Sequence, residues 1–149
     1  MTLDSPDLTV FPPRSDRVRL GGYVILPRML DKGRATLAGK NGEYHYACPV
    51  DERFLEFAGV GADALKDRLA DGAGDREILQ WIDDNSTTRP NPQQIAAWSR
   101  LQEERVPGDL ESREFFSEIH KAAAPEREDI STWFDLLDLD DFVTFGGKA

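Results

Sequence analysis

The chain is poor in the side chains that most often carry chemistry: one cysteine, Cys48, and two histidines, His45 and His120, in 149 residues. A single cysteine excludes an internal disulfide and fits a reducing compartment. With so few thiol and imidazole ligands, and none at the required spacing, a structural zinc site is excluded too. No apolar run approaches the ~20 residues that a bilayer demands, so a membrane span is not expected. The opening residues lack a basic stretch followed by an apolar one, so no secretory signal is expected, and a cytoplasmic location follows. Positive charge is also scarce, with 18 Lys and Arg against 28 Asp and Glu and a net charge of −10. The densest basic run, Arg14 to Arg19 with Arg28, Lys32 and Arg34, is diluted by Asp16 and Asp31. Each phosphate contact needs a Lys or Arg, so nucleic acid is the least favoured partner. There is no glycine-rich phosphate loop, dinucleotide fingerprint, HExxH or Gly-x-Ser-x-Gly, so no cofactor is implied. No repeat of twenty to fifty residues points to a solenoid or propeller.

What is present is ordinary in amount: 40% hydrophobic and 31% charged residues. A domain of this length buries roughly 70% of the surface its unfolded chain exposes, so one core is enough. Glycine and proline divide the chain into segments of helical length. The expected architecture is all-α: one compact domain over residues 1–149, built of short helices with at most one minimal two-stranded β pairing.

Residues 1–19 read as an extended leader, denied helix by Pro12-Pro13, with Val10 and Phe11 as its apolar anchors. From Gly22 to Ala38, Leu26, Met29, Leu30, Gly33 and Leu37 mark one helix face, and Pro27 either starts or kinks that helix. Glu43 to Ala47 alternates and carries two tyrosines, which suits a short strand ended by Cys48-Pro49; Phe142 to Phe145 is similar, and the two are candidates to pair. Asp51 reads as the cap of a helix bearing Phe54, Leu55 and Phe57, closed by Gly59. Leu65 and Leu69 mark the next, ending at Gly72, and Asp75 opens one with Ile78, Leu79, Trp81 and Ile82. Asn91-Pro92-Gln93-Gln94 is a capping box with proline at the first helical position. Asp109 caps a helix striped by Phe115, Phe116, Ile119 and Ala123, and Ser131 or Asp129 opens a last short one through Leu137. The three tryptophans, Trp81, Trp98 and Trp133, read as core anchors. Asp138, Asp140 and Asp141 lack the glycine turn and terminal glutamate of a calcium loop and read as a solvated helix end.

Chemistry would sit between Arg28 and Arg53. Arg28, Asp31 and Arg34 step by three along one edge of the first helix, with Lys32 nearby and Tyr23 on the same edge. They form either a charge ladder along the helix or a site in which Arg34, at the border of the apolar face, orients an anion. Tyr44-His45-Tyr46-Ala47-Cys48 is the densest cluster of reactive types. If it is extended, Tyr44, Tyr46 and Cys48 share one face and His45 takes the other, so a Cys48–His45 nucleophile pair is excluded. Cys48 then reads as a small buried hydrophobe, the tyrosines as packed rings with bonded hydroxyls, and His45 as a structural imidazole. The candidate catalytic residues are nevertheless His45, Tyr44, Tyr46 and Cys48; the candidate ligand-binding residues are Arg28, Asp31, Arg34, Tyr23, Asp51 and Arg53.

The blocks Arg19-Leu20-Gly21-Gly22-Tyr23, Leu26 to Ala35, Gly42 to Tyr46 with Cys48-Pro49, and Trp133 to Asp138 with Phe145 to Ala149 resemble a bacterial family catalogued as domain of unknown function 5069. The resemblance implies one bacterial domain of this length and carries no activity, cofactor or catalytic residue. Two functions remain as expectations. One is a non-catalytic binding or adaptor domain that recognises a small anionic ligand or a protein partner. The other is a cofactor-independent enzyme with His45 or a tyrosine as acid–base and Arg34 holding an anionic substrate.

Overall fold

The computed structural model describes residues 5–148; the first four residues of the leader and residue 149 lie outside it. Among the described residues seven helices follow one another: α1 (Leu26–Leu37), α2 (Pro49–Ala58), α3 (Ala62–Ala70), α4 (Asp75–Asn85), α5 (Pro92–Glu103), α6 (Leu110–Ala123) and α7 (Trp133–Thr144). The fold is all-α. Among the described residues the only β feature is an isolated bridge between Leu20 and Tyr23. Among the described residues no helix is long and apolar enough to cross a membrane.

The helix α1 lies at the centre. Pro27 sits in its first turn, where a missing N–H costs nothing, so it starts the helix rather than kinking it. Eight of its twelve residues are buried, among them Arg28 and Lys32. Gly33 lets it meet α3 closely, because a Cβ there would lie 2.6 Å from Leu69 Cδ1 and 3.1 Å from the Tyr46 ring. Around it, Met29, Leu30, Phe54, Leu65, Leu69, Ile78 and Ile82 form the core. Tyr23, Phe54, Phe57 and Trp98 pack edge-to-face and stacked at one end, with ring centroids 4.7–6.4 Å apart.

The helix ends follow local chemistry. Asn91 accepts from Gln94 N while Gln94 Oε1 accepts from Asn91 N, the expected capping box of α5. Asp109 accepts from Ser112 N at the start of α6. The last helix is capped by Thr132, with Asp135 reciprocating, and not by Ser131 or Asp129. Asp51 is not a cap either: Cys48 occupies that position, Pro49 is the first helical residue, and Asp51 is buried at the third. At the other end of α2, Gly59 turns left-handed at φ 68°. Residues 86–88 fold over it, Ser86 Oγ donating to Ala58 O and Thr88 Oγ1 to Phe57 O. A Cβ at position 59 would meet Thr88 N at 2.8 Å. We predict that Gly59→Ala, strained in dihedral and blocked by backbone, costs about 2 kcal/mol or more in chemical denaturation.

Both expected strands are absent. Residues 42–43 and 46–47 form two turns, because Asn41 Nδ2 ties down Tyr44 O at 2.9 Å and Ala47 adopts φ 60°, which ends any extended run. Phe142 to Thr144 is the last turn of α7, closed by Gly147 N donating to Phe142 O with Gly146 at φ 91°. The leader is stapled down, but not by Val10 and Phe11, which are exposed. Asp7 accepts from Thr9 N and reverses the chain there, so Leu8 points inward and is buried. Further along, Arg14 bonds Asp31 and Asp75, and Arg17 bonds Asp135 and Asp138.

Candidate functional site

The turn after α1 does fold back onto that helix, but the guanidinium it meets belongs to Arg28 and not to Arg34. Successive residues rotate by about 100° around a helix, so Lys32 lies about 40° from Arg28 whereas Arg34 lies about 120° away. Arg28 and Lys32 therefore share one face, and the Tyr44 ring lies under Arg28 at 5.3 Å. Arg34 looks the other way, donating to Asp75 at 2.7 Å and to Ala73 O at 3.1 Å. Asp31 joins that second cluster through Arg14. The expected ladder along α1 is absent, since each charge has a partner from elsewhere in the chain.

Between α1, the 42–48 turns, α2 and α7 lies a cavity of about 580 Å³. Leu8, Val50, Leu137 and Phe145 supply its apolar wall; Asp16, Arg28, Lys32, Glu43, Tyr44, His45, Cys48 and Asp140 supply its polar groups. Four of the residues predicted from sequence thus converge here: Arg28, Tyr44, His45 and Cys48. The others do not. Tyr23 is sealed in the aromatic cluster of the core, 2% exposed. Arg53 donates to Gln102 Oε1 beside a separate shallow depression under Trp98. Tyr46 donates its hydroxyl to Ala62 O at 2.7 Å.

The wall of the cavity rests on buried ion pairs. Arg28 makes a bidentate pair with Asp141, at 2.6 and 3.1 Å, and Asp16 lies 3.7 Å from its Nε. Burial opposes the Arg28 charge, but the bonds to Asp141 and the charge of Asp16 outweigh it and hold the guanidinium above its ordinary range. Lys32, with its side chain 5% exposed, pairs with the fully buried Asp51 at 2.8 Å and donates to Cys48 Sγ at 3.3 Å. Tyr44 donates to Asp141 at 2.8 Å. Burial first, and that bond second, push its hydroxyl above the usual phenol range, so Tyr44 is a committed donor rather than a base. This removes the arrangement in which a tyrosine acts as base beside Arg34. His45 is exposed at the rim of the cavity, and His120 is engaged far along the chain with Arg127 O.

Negative charge is in excess at this site. Asp16 is buried, its Oδ1 has no hydrogen-bond partner, and burial pushes its carboxyl up to about 6 despite Arg28 and Lys32. Asp140 is pushed up as well, by burial, by Asp141 beside it and by Glu43. Among the described residues no group of three or more His, Cys, Asp or Glu is placed to hold a metal ion.

Sequence reading missed Asp16, Asp140 and Asp141 as contributors. The reading of 138–141 as a solvated helix end holds for the exposed Asp140 but fails at Asp141, which is 7% exposed and bonded to Arg28; Asp138 accepts from Ser15 and Arg17. A signal existed: Asp141 follows Phe134 by seven positions and Leu137 by four, so it lies on the helix's apolar stripe. Asp51 shares a stripe with Phe54, Leu55 and Ala58 in the same way.

No curated protein matches the chain. The family described as Domain of unknown function (DUF5069) matches residues 10–143 of the 149, and the chain belongs to that family.

Proposed function

We propose that the chain binds a small molecule with an apolar body and a protonated amine in the cavity between α1, α2 and α7. The observation that carries this reading is the charge balance of the wall. Its two cations are already engaged, Arg28 by Asp141 and Lys32 by Asp51. Against them stand five carboxylates on or directly behind the wall: Asp16, Glu43, Asp51, Asp140 and Asp141. Among the described residues neither Glu43 nor Asp140 has an ion-pair partner. An anionic ligand, the class that the sequence suggests, would have to break a buried pair to find a cation. An amine instead meets uncompensated carboxylates at the rim, and the apolar floor of Leu8, Val50, Leu137 and Phe145 takes the rest of the molecule.

Thermal-shift titration with phenethylamine and phenylacetate separates the two charge classes on one body. The amine should stabilise the wild type, by about 2.7 kcal/mol at a hundredfold over its Kd. The effect should vanish in Glu43→Gln/Asp140→Asn and persist in Arg34→Ala. Equal or greater stabilisation by phenylacetate would contradict the reading.

A further inference from the structure

The one cysteine of the chain sits where a nucleophile would be placed. Cys48 lines the cavity and caps the ten-residue α2. Its sulfur accepts from the Lys32 ammonium at 3.3 Å, and that ammonium is fixed from behind by Asp51 at 2.8 Å. Pro49 has no amide hydrogen, no side chain caps the helix, and Glu52 N bonds to Cys48 O. The N–H of Val50, in the first turn of a helix whose start lines the same cavity, has no intrahelical acceptor. Such an amide stabilises the oxyanion that forms when sulfur adds to a carbonyl. A second feature of the same cavity stands apart from the cysteine: the Asp16 carboxyl, 2% exposed, lines it with Oδ1 unpartnered.

We infer that Cys48 is the nucleophile of an acyl-transfer reaction, and that the substrate class is a small acyl thioester. The preference for a cationic thioester rests on the function proposed above; the nucleophile itself does not. In the step, the Cys48 thiol gives up its proton to solvent as a sulfur lone pair forms a bond to the carbonyl carbon. The tetrahedral oxyanion lies against the Val50 amide, and on its collapse the C–S bond of the substrate breaks. The departing thiolate leaves with the electron pair and takes a proton from solvent. Water then adds to the acyl-cysteine, the S–C bond breaks, and the acid is released with Cys48 regenerated. No oxidant or reductant is required.

The test uses the full chain with acetylthiocholine and its neutral counterpart S-ethyl thioacetate, read by intact mass and peptide mapping. Cys48 should be acetylated about a hundredfold faster than a free thiol such as N-acetylcysteine, and faster by the cationic probe. Cys48→Ser should show no transfer at that position. Lys32→Met/Asp51→Leu replaces the buried pair by apolar groups, so the chain stays folded while the sulfur loses its ammonium; acetylation should fall at least tenfold. Equal rates with both probes keep the nucleophile and overturn the cationic preference. Labelling confined to surface lysines, or Cys48 reacting no faster than the free thiol, overturns the inference and leaves amine binding standing.

Discussion

Replacing Asp141 by alanine should lower the unfolding free energy by about 3–5 kcal/mol, the usual consequence of stranding one partner of a buried ion pair. For a chain of this length that corresponds to a fall in Tm of roughly 6–20 °C. The size follows from what the carboxylate touches. It holds both terminal nitrogens of Arg28 and accepts the Tyr44 hydroxyl. It also joins α7 to the central helix, for which Arg28 is only 5% exposed. Without it, the guanidinium keeps Asp16 at 3.7 Å, the Arg14 carbonyl at 3.3 Å and the Tyr44 ring at 5.3 Å. If the loss is that of an orphaned charge rather than of packing volume, Arg28→Met/Asp141→Leu should recover most of it, because an apolar pair of similar size is often neutral. Urea denaturation of the three chains decides this. A loss under about 1 kcal/mol for Asp141→Ala would mean that the pair behaves as a solvated surface contact.

Asp16→Asn should act in the opposite direction and depend on pH. The Asp16 carboxyl titrates at about 6 in the folded chain, against an ordinary 3.8, chiefly because it is buried. Above pH 6 the folded state therefore holds an ionised carboxylate at a cost. As the pH falls through 6, the folded chain takes up a proton that the unfolded chain does not accept until near 3.8. The contribution of this group to stability thus grows through that window and is complete below it. Asparagine resembles the protonated form at every pH. The variant should be more stable than the wild type at pH 8, by up to about 3 kcal/mol, and the two should converge near pH 4. Carboxylates held low by hydrogen bonds, such as Asp75 between Arg14 and Arg34, weaken both chains alike in acid, so the difference isolates Asp16. A variant less stable by the same amount at both pH values would show that the ionised group is net stabilising.

Together these effects describe a wall built of charges that offset one another except for a negative remainder. Buried pairs are weak evidence for stability, since desolvation offsets most of their attraction. Here they fix the direction of groups around a hollow: Arg28 over Tyr44, Lys32 on Cys48, Asp16 between them.

Much of the helical skeleton was legible because its signals are local. The Asn91–Gln94 box, the Asp109 cap, the Gly59 stop and the Leu65–Leu69 stripe are each decided within one or two turns of chain. What sequence reading misplaced depends on tertiary geometry. Phe142 to Phe145 alternates like a strand, yet it packs as the end of α7, with Phe145 stacked beside Tyr44 at 6.5 Å. Alternation over four residues does not distinguish these outcomes. The hydrophobic spacing of α1 revealed its face but not how wide that face is. With α2, α3 and α7 all around it, even Arg28 and Lys32 are enclosed, and Arg34 lands on the opposite flank. Reading Cys48 as a small buried hydrophobe treated position 48 as the end of a strand. Once Pro49 starts α2, the same residue becomes a helix cap facing a lysine. The informative clue was the charged residue on an otherwise apolar stripe, at Asp51 and Asp141, since a carboxylate is held there only with a partner.

The central claim is that the hollow beside Tyr44, His45 and Cys48 is where a small cationic molecule docks. The most direct measurement is amide chemical-shift mapping of the wild-type chain titrated with phenethylamine. Saturable shifts should cluster at residues 42–50 and at Leu137, Asp140, Thr144 and Phe145, with none at Arg34, Ala73 or Asp75. Shifts centred on the Arg34–Asp75 side, or scattered and non-saturating over the surface, would contradict it.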